Sequence, residues 1–210
     1  MYQPSYSIVR RPVDSAFADV MAEVFSSTAK AEHAWSHPKS LGSWSLCLLS
    51  SPRIDFAAEL TNGCFDVAVF SGELLEAADC TPLQSFPASI SSIGLIPSKN
   101  SDLRLTAFLD APAVENETKI AHFLLEQQGL AKKDYKPGVH ISVGTISGKL
   151  EVESRSRLIE GLSSTLVGTD IELTPAMLRE TCINAVTYTE LGEISTQGVR
   201  RMLELKQSDY

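Results

Sequence analysis

Two apolar rhythms alternate along this chain, and their alternation limits what it can fold into. "DSAFADVMAEVFSSTAKA" repeats Phe17, Val20, Met21, Val24 and Phe25 at helical spacing, so one side of a helix is apolar. Asp14 or Ser15 stands where a side chain can cap its first N–H groups. Ahead of it, "YSIVRRPV" has a strand pattern that Pro12 confines to an edge or ends. "SHPKSLGS" reads as a loop and "WSLCLLS" as a short, central strand. "RIDFAAEL" and "CFDVAVF" alternate with period two across "TNG", the signature of a hairpin, and "SGELLEAAD" reads as a short helix. Residues 80–101, rich in Ser and Pro, read as an irregular segment of a length typical of lids and binding loops. Phe86, Ile90, Ile93 and Ile96 are its candidate anchors.

The same mixture continues to the end. "DLRLTAFLD" is a strand. "VENETKIAHFLLEQQG" is a helix with Ile120, Phe123 and Leu124 as its buried stripe and His122 beside it. "VHISVGTI" is a strand that "KLEVE" pairs with across "SGK". "SRSRLIEGLSSTLVG" is a helix and "TDIEL" a strand. "TPAMLRETC" reads as a short helix, with Thr174 as cap and Pro175 at its first position. "NAVTYTEL" is a strand and "STQGVRRMLELKQ" a closing helix. The expected class is α+β, with mixed, largely antiparallel sheets and flanking helices. Residues 1–210 form a single globular domain, or two packed lobes, 1–80 and 102–210, joined by residues 80–101.

Composition narrows the function classes. No apolar run is long enough to span a bilayer, and "MYQPSYSIVRRPVD" lacks a signal-peptide core, so a soluble cytoplasmic protein without membrane contact is expected, in a host cytosol if viral. The net charge of −8 opposes general DNA binding. Short basic groups remain as candidate phosphate contacts: Arg10–Arg11, Lys132–Lys133–Lys136, Arg155–Arg157 and Arg200–Arg201. Cys47, Cys64, Cys80 and Cys182 show no C-x-x-C spacing and read as reduced thiols. Dinucleotide and triphosphate loops, H-E-x-x-H and the G-x-S-x-G elbow are all missing. His33 and His37 are four apart, but Pro38 ends a helix before His37. No metal and no cofactor is expected.

One stretch carries chemistry-bearing residues in a strand, "DYKPGVHISVGTISG". With period two, Val139, Ile141 and Val143 face a core, and His140, Ser142 and Gly144 face the other way. An imidazole near its ordinary pKa can give or take a proton, and a hydroxyl beside it can orient a phosphate oxygen. Gly144 would leave room next to both.

"YKPGVHISVGTI" resembles one half of the signature of the 2H phosphoesterases. That superfamily repeats a histidine-x-Thr/Ser pair on two strands that face each other across a cleft. The resemblance implies histidines acting as acid and base on 2′,3′-cyclic or 2′,5′-linked phosphates, with the hydroxyls holding the phosphate. It carries over to His140 as catalytic and to Ser142 as ligand-binding. "IPSKNSDLRLTAFLDAP" resembles the other half, with Thr106 at its hydroxyl position and Arg104 where its histidine belongs, 36 positions before His140. Arginine is no base at neutral pH but binds phosphate well.

Two functions follow. The first expectation is a non-enzymatic binding or accessory protein that acts through contacts with a protein partner. The alternative is a 2H-phosphoesterase-like domain, centred on His140, that cleaves cyclic or 2′,5′-linked nucleotide phosphates or, if inactive, only binds them, with a nucleotide or RNA as ligand. Oligomeric state is open.

Overall fold

The computed structural model describes residues 4–34, 36–38, 46–47, 67–97, 102–127, 139–182 and 188–193. Strands β1 (Pro4–Arg10), β3 (Leu46–Cys47), β8 (Met177–Cys182) and β9 (Tyr188–Glu193) form one sheet in the order β3-β1-β8-β9. Strands β2 (Ser36–Pro38), β4 (Phe86–Pro97), β5 (Leu103–Asp110), β6 (His140–Ile146) and β7 (Asp170–Leu173) form a second, in the order β2-β6-β5-β4-β7. Each pairing is antiparallel. Four helices accompany them among the described residues: α1 (Ser15–Ala31), α2 (Val67–Ala77), α3 (Pro112–Gln127) and α4 (Val152–Leu166), with a 3-10 turn at Thr81–Leu83. The class is α+β, as the alternating rhythms require. Neither sheet is confined to residues 1–80 or to 102–210, because β1 pairs with β8 and β2 with β6.

Helices α1 and α4 pack on one another and cover one face of the five-stranded sheet, α1 against β6 and α4 against β4. Asp14 caps α1 by accepting a hydrogen bond from the Ala16 amide at 2.8 Å. Met21, Phe25 and Ala29, one turn apart, are fully buried, while Val20 points to solvent. Leu158, Leu162 and Leu166 repeat the pattern on α4. Helices α2 and α3 pack together beside the 3-10 turn.

Several elements differ from the sequence reading. Residues 80–101 are not irregular throughout: a long strand, β4, occupies Phe86–Pro97, with Ala88, Ile90 and Ile93 buried. Its serines are tolerated because only one face is covered. Val67 and Val69 belong to α2 rather than to a strand, because Phe70, Leu74 and Ala78 bury at four-residue intervals. "KLEVE" does not pair with β6. Helix α4 begins at Val152 within it. "TPAMLRETC" is not a helix, since Met177–Cys182 pairs with β1 over its whole length. The Thr174 hydroxyl there accepts from the Arg11 amide at 3.1 Å and caps no helix. In α3 the buried residues are Val114, Glu117, Thr118, Ala121, His122 and Leu125, while Phe123 is 57% exposed. "SHPKSLGS" contributes β2 to the sheet. Trp35, Trp44, the 54–66 half of the expected hairpin and the closing helix lie outside the described residues.

Candidate functional site

The register of β5 and β6 defines the site. Phe108 stands opposite His140, and Thr106 opposite Ser142. The register then slips, so that Leu105 faces Gly144 and Arg104 faces Thr145. Val143 has no partner on β5, and β6 therefore contains a β-bulge. Residues directly opposite share a face, and neighbours along a strand alternate. One face of the pair consequently carries His140, Ser142 and Thr145 with Phe108, Thr106 and Arg104. The other carries Ile141, Gly144, Leu105, Ala107 and Leu109.

The bulge corrects the position expected for Gly144. It sits on the helix-covered face, and a Cβ there would collide with Cε1 of Phe25 on α1. The missing side chain makes room for that ring and not for a ligand. The residue that joins His140 and Ser142 instead is Thr145. An isolated glycine inside a strand is the one sequence signal that marks such a bulge.

Burial grades the face. Thr106 is fully buried, Ser142 is 9% exposed, and Arg104, Phe108, His140 and Thr145 are half-buried. Thr106 Oγ1 lies 3.5 Å from the Arg104 carbonyl, the far limit of a hydrogen bond, so its hydroxyl is weakly engaged. The Phe108 and His140 rings are tilted by 50° with centroids 6.3 Å apart. Phe108 also lies over β4: a Cβ on Gly94 would be 3.0 Å from its Cε2. Phe108 therefore supports the imidazole from the middle of the sheet. No carboxylate among the described residues pairs with the Arg104 guanidinium.

The sequence placed Arg104 and Thr106 on a strand across a cleft from His140. They stand on the strand beside it, in the same sheet. The short spacing of 36 residues is explained by this, since only α3 and a connection separate β5 from β6. From the other sheet, β3 approaches β6. Its segment, "WSLCLLS", contains no histidine. His37 pairs in register with Thr145 on the far side of β6.

Three of the other candidate phosphate contacts are otherwise employed. Arg10 is fully buried and its guanidinium bonds Glu117 at 2.6 Å. Arg155 holds the turn before α4 through the carbonyls of Leu150 at 2.7 Å and Gly148 at 2.5 Å. Arg157 pairs with Glu32 at 2.7 Å. Lys132, Lys133, Lys136, Arg200 and Arg201 lie outside the described residues. Of the candidate anchors, Ile90 and Ile93 are core residues. Among the described residues no helix is long and apolar enough to cross a membrane, and no cluster of His, Cys, Asp and Glu could hold a metal ion.

No family model matches the sequence, and no curated protein matches it. Solved structures do match its fold. The structure of Kluyveromyces marxianus Usb1 with uridine monophosphate is 14% identical, with a TM-score of 0.53 over 90% of this chain and 97% of that one. A second Usb1 structure gives the same values. Escherichia coli LigT complexed with 3′-AMP is 10% identical, with a TM-score of 0.59 over 90% of this chain and 96% of that one. The fold is that of these proteins. Both are 2H phosphoesterases, so the resemblance noted at β6 extends to the architecture of nearly the whole chain. This overturns the first functional expectation. A non-enzymatic accessory protein acting through protein contacts is not what the shared fold supports.

Proposed function

We propose that this chain is a 2H-phosphoesterase-like domain that binds cyclic or 2′,5′-linked nucleotide phosphates and cleaves them with a single imidazole. The observation that carries the reading is the direct pairing of Thr106 with Ser142, one pair along the sheet from His140, on the face turned away from α1 and α4. Two hydroxyls side by side can hold the non-bridging oxygens of one phosphate. His140 is then adjacent to that phosphate, at the distance of one strand repeat, ~7 Å between Cα atoms.

In cleavage of a 2′,3′-cyclic phosphate, water adds to phosphorus and the bond from phosphorus to one ribose oxygen breaks. The attacking water loses a proton and the departing alkoxide gains one. These two transfers occur on opposite sides of the phosphorus, so one imidazole serves one of them. His140 performs that transfer, and solvent performs the other. Arg104 supplies positive charge that stays on at every working pH. A lone proton-transfer group of this kind contributes about 10²- to 10⁴-fold. The cysteine spacing suits a reducing, cytoplasmic setting.

The test compares wild type with His140→Ala and Ser142→Ala on 2′,3′-cyclic nucleotides and 2′,5′-linked dinucleotides, by calorimetry and product chromatography. Wild type should bind and turn over at least one class, His140→Ala should lose turnover, and Ser142→Ala should bind more weakly. Equal behaviour of the three proteins on every ligand overturns the reading.

A further inference from the structure

We infer that Arg104 and Thr145 form a second phosphate subsite, so that the ligand is an oligonucleotide end carrying two successive phosphates. This rests on the function proposed above and names its substrate class. The bulge at Val143 is what creates the subsite. Without it, position 144 would share the face of Ser142, and Thr145 would turn toward the α1 side. With it, Thr145 is delivered to the site face, directly opposite Arg104.

Three pairs then line one face in sequence: Phe108 with His140, Thr106 with Ser142, and Arg104 with Thr145. Successive pairs on one face are two residues apart along β5, which is ~7 Å in an antiparallel strand. Neighbouring phosphates of an extended nucleotide chain can span that separation. A reacting phosphate held by Thr106 and Ser142 next to His140 therefore leaves the phosphate of the preceding nucleotide over Arg104 and Thr145.

The charge of Arg104 argues for an anionic occupant. It is half-buried, and no carboxylate among the described residues pairs with it. This is a chain with 26 acidic and 18 basic residues, so acidic partners are not scarce. Arg10 and Arg157 each have one. A half-desolvated guanidinium left without a carboxylate is compensated when a phosphate binds, and its fork matches two phosphate oxygens. The Thr145 hydroxyl adds a donor to the same group.

The experiment measures, by calorimetry at fixed salt, a uridine 2′,3′-cyclic monophosphate and a diuridine ending in the same cyclic phosphate. Wild type should bind the diuridine about 10- to 100-fold more tightly, the range of one charge-assisted contact. In Arg104→Gln that ratio should fall to near one. In Arg104→Lys it should be intermediate, since a point charge replaces the fork. Circular dichroism of each variant checks that it is folded. A wild-type ratio near one, or a ratio that survives Arg104→Gln, overturns the inference. If the mononucleotide binds in a His140-dependent way but the ratio is one, only the second subsite fails. If neither ligand binds, the reading of the whole site fails and the subsite with it.

Discussion

Arg10 lies on a strand, yet its side chain ties together five segments. It donates to the carbonyls of Gln84 at 2.6 Å, Thr174 at 2.8 Å and Thr81 at 3.0 Å, and to Glu117 Oε2 at 2.6 Å. Its guanidinium also lies 5.3 Å from the centre of the Phe86 ring. It thereby joins β1 to the 3-10 turn, to β4, to α3 and to the β7–β8 connection. Removing one partner of a fully buried pair leaves a charge without compensation, so Arg10→Met should cost ~3–5 kcal/mol in urea denaturation. Arg10→Met/Glu117→Leu should recover part of that loss, because no buried charge remains. Glu117 adds a pH signature. Burial pushes its carboxyl above the ordinary value, while the hydrogen bond and charge of Arg10 pull it down. An acid raised in the folded state binds its proton more tightly there than in the unfolded chain. Its contribution is therefore complete below the ordinary carboxylate range and lost as pH rises through the raised value. Glu117→Gln has no such titration. Its stability relative to wild type should therefore rise as the pH climbs out of the ordinary carboxylate range, and parallel stability curves would contradict this. None of this was legible in the sequence, where Arg10–Arg11 reads as a candidate phosphate contact. A long-range pair 107 positions apart leaves no local pattern.

At the scale of elements, the sequence reports period well and pairing poorly. Helix α1 and strands β5 and β6 were legible because their apolar positions repeat cleanly and end on recognisable caps or turns. Strand β8 was misread because Thr174-Pro175 imitates a helix start. What decides it is the partner β1, which local signals do not contain. In α3 the stripe was misplaced by its largest residue. Phe123 is exposed, and smaller Ala121 and Leu125 face the core. Leu125→Ala should therefore cost ~2–5 kcal/mol and Phe123→Ser less than ~0.5 kcal/mol in the same denaturation assay. The bulge in β6 was hidden by the assumption of strict alternation, which holds only until one residue is unpaired. Gly144→Ala tests it. A methyl group colliding with the Phe25 ring forces repacking, at ~1–3 kcal/mol. For a chain of this size that lowers the melting temperature by ~2–4 °C per kcal/mol. Phe25→Leu in the same protein should return part of the loss. Ordinary alternation would put position 144 on the opposite face, away from Phe25, and Phe25→Leu would then return nothing.

For the whole molecule, the proposed site consists of residues near in register: one imidazole, three hydroxyls and one arginine on a single sheet face. The motif around His140 was readable because two of its members are two residues apart on one strand. Thr145 was not, because its face depends on a pairing slip. The position of Arg104 relative to His140 depends on which strands are neighbours, and no sequence period encodes that order. The net charge of −8 sets how such a site must capture an anion. A broad acidic surface repels a nucleic-acid chain, so attraction has to be confined to the few groups that face the ligand. Among the described residues Arg10, Arg155 and Arg157 are already committed to internal partners, which leaves Arg104 as the charge at this site. Binding of a short single strand should then show a shallow salt dependence. Counterion release for single strands scales at about 0.7 per phosphate contacted, so two phosphates give a log–log slope no steeper than ~1.4. Titrating a diuridine and a decauridine, each ending in a 2′,3′-cyclic phosphate, at several salt concentrations measures it. Equal, shallow slopes for both lengths are expected if Arg104 is the charge that meets the strand. A slope that steepens with length would mean that a basic surface outside the described residues, such as Lys132, Lys133 and Lys136, tracks the chain beyond the two-phosphate site.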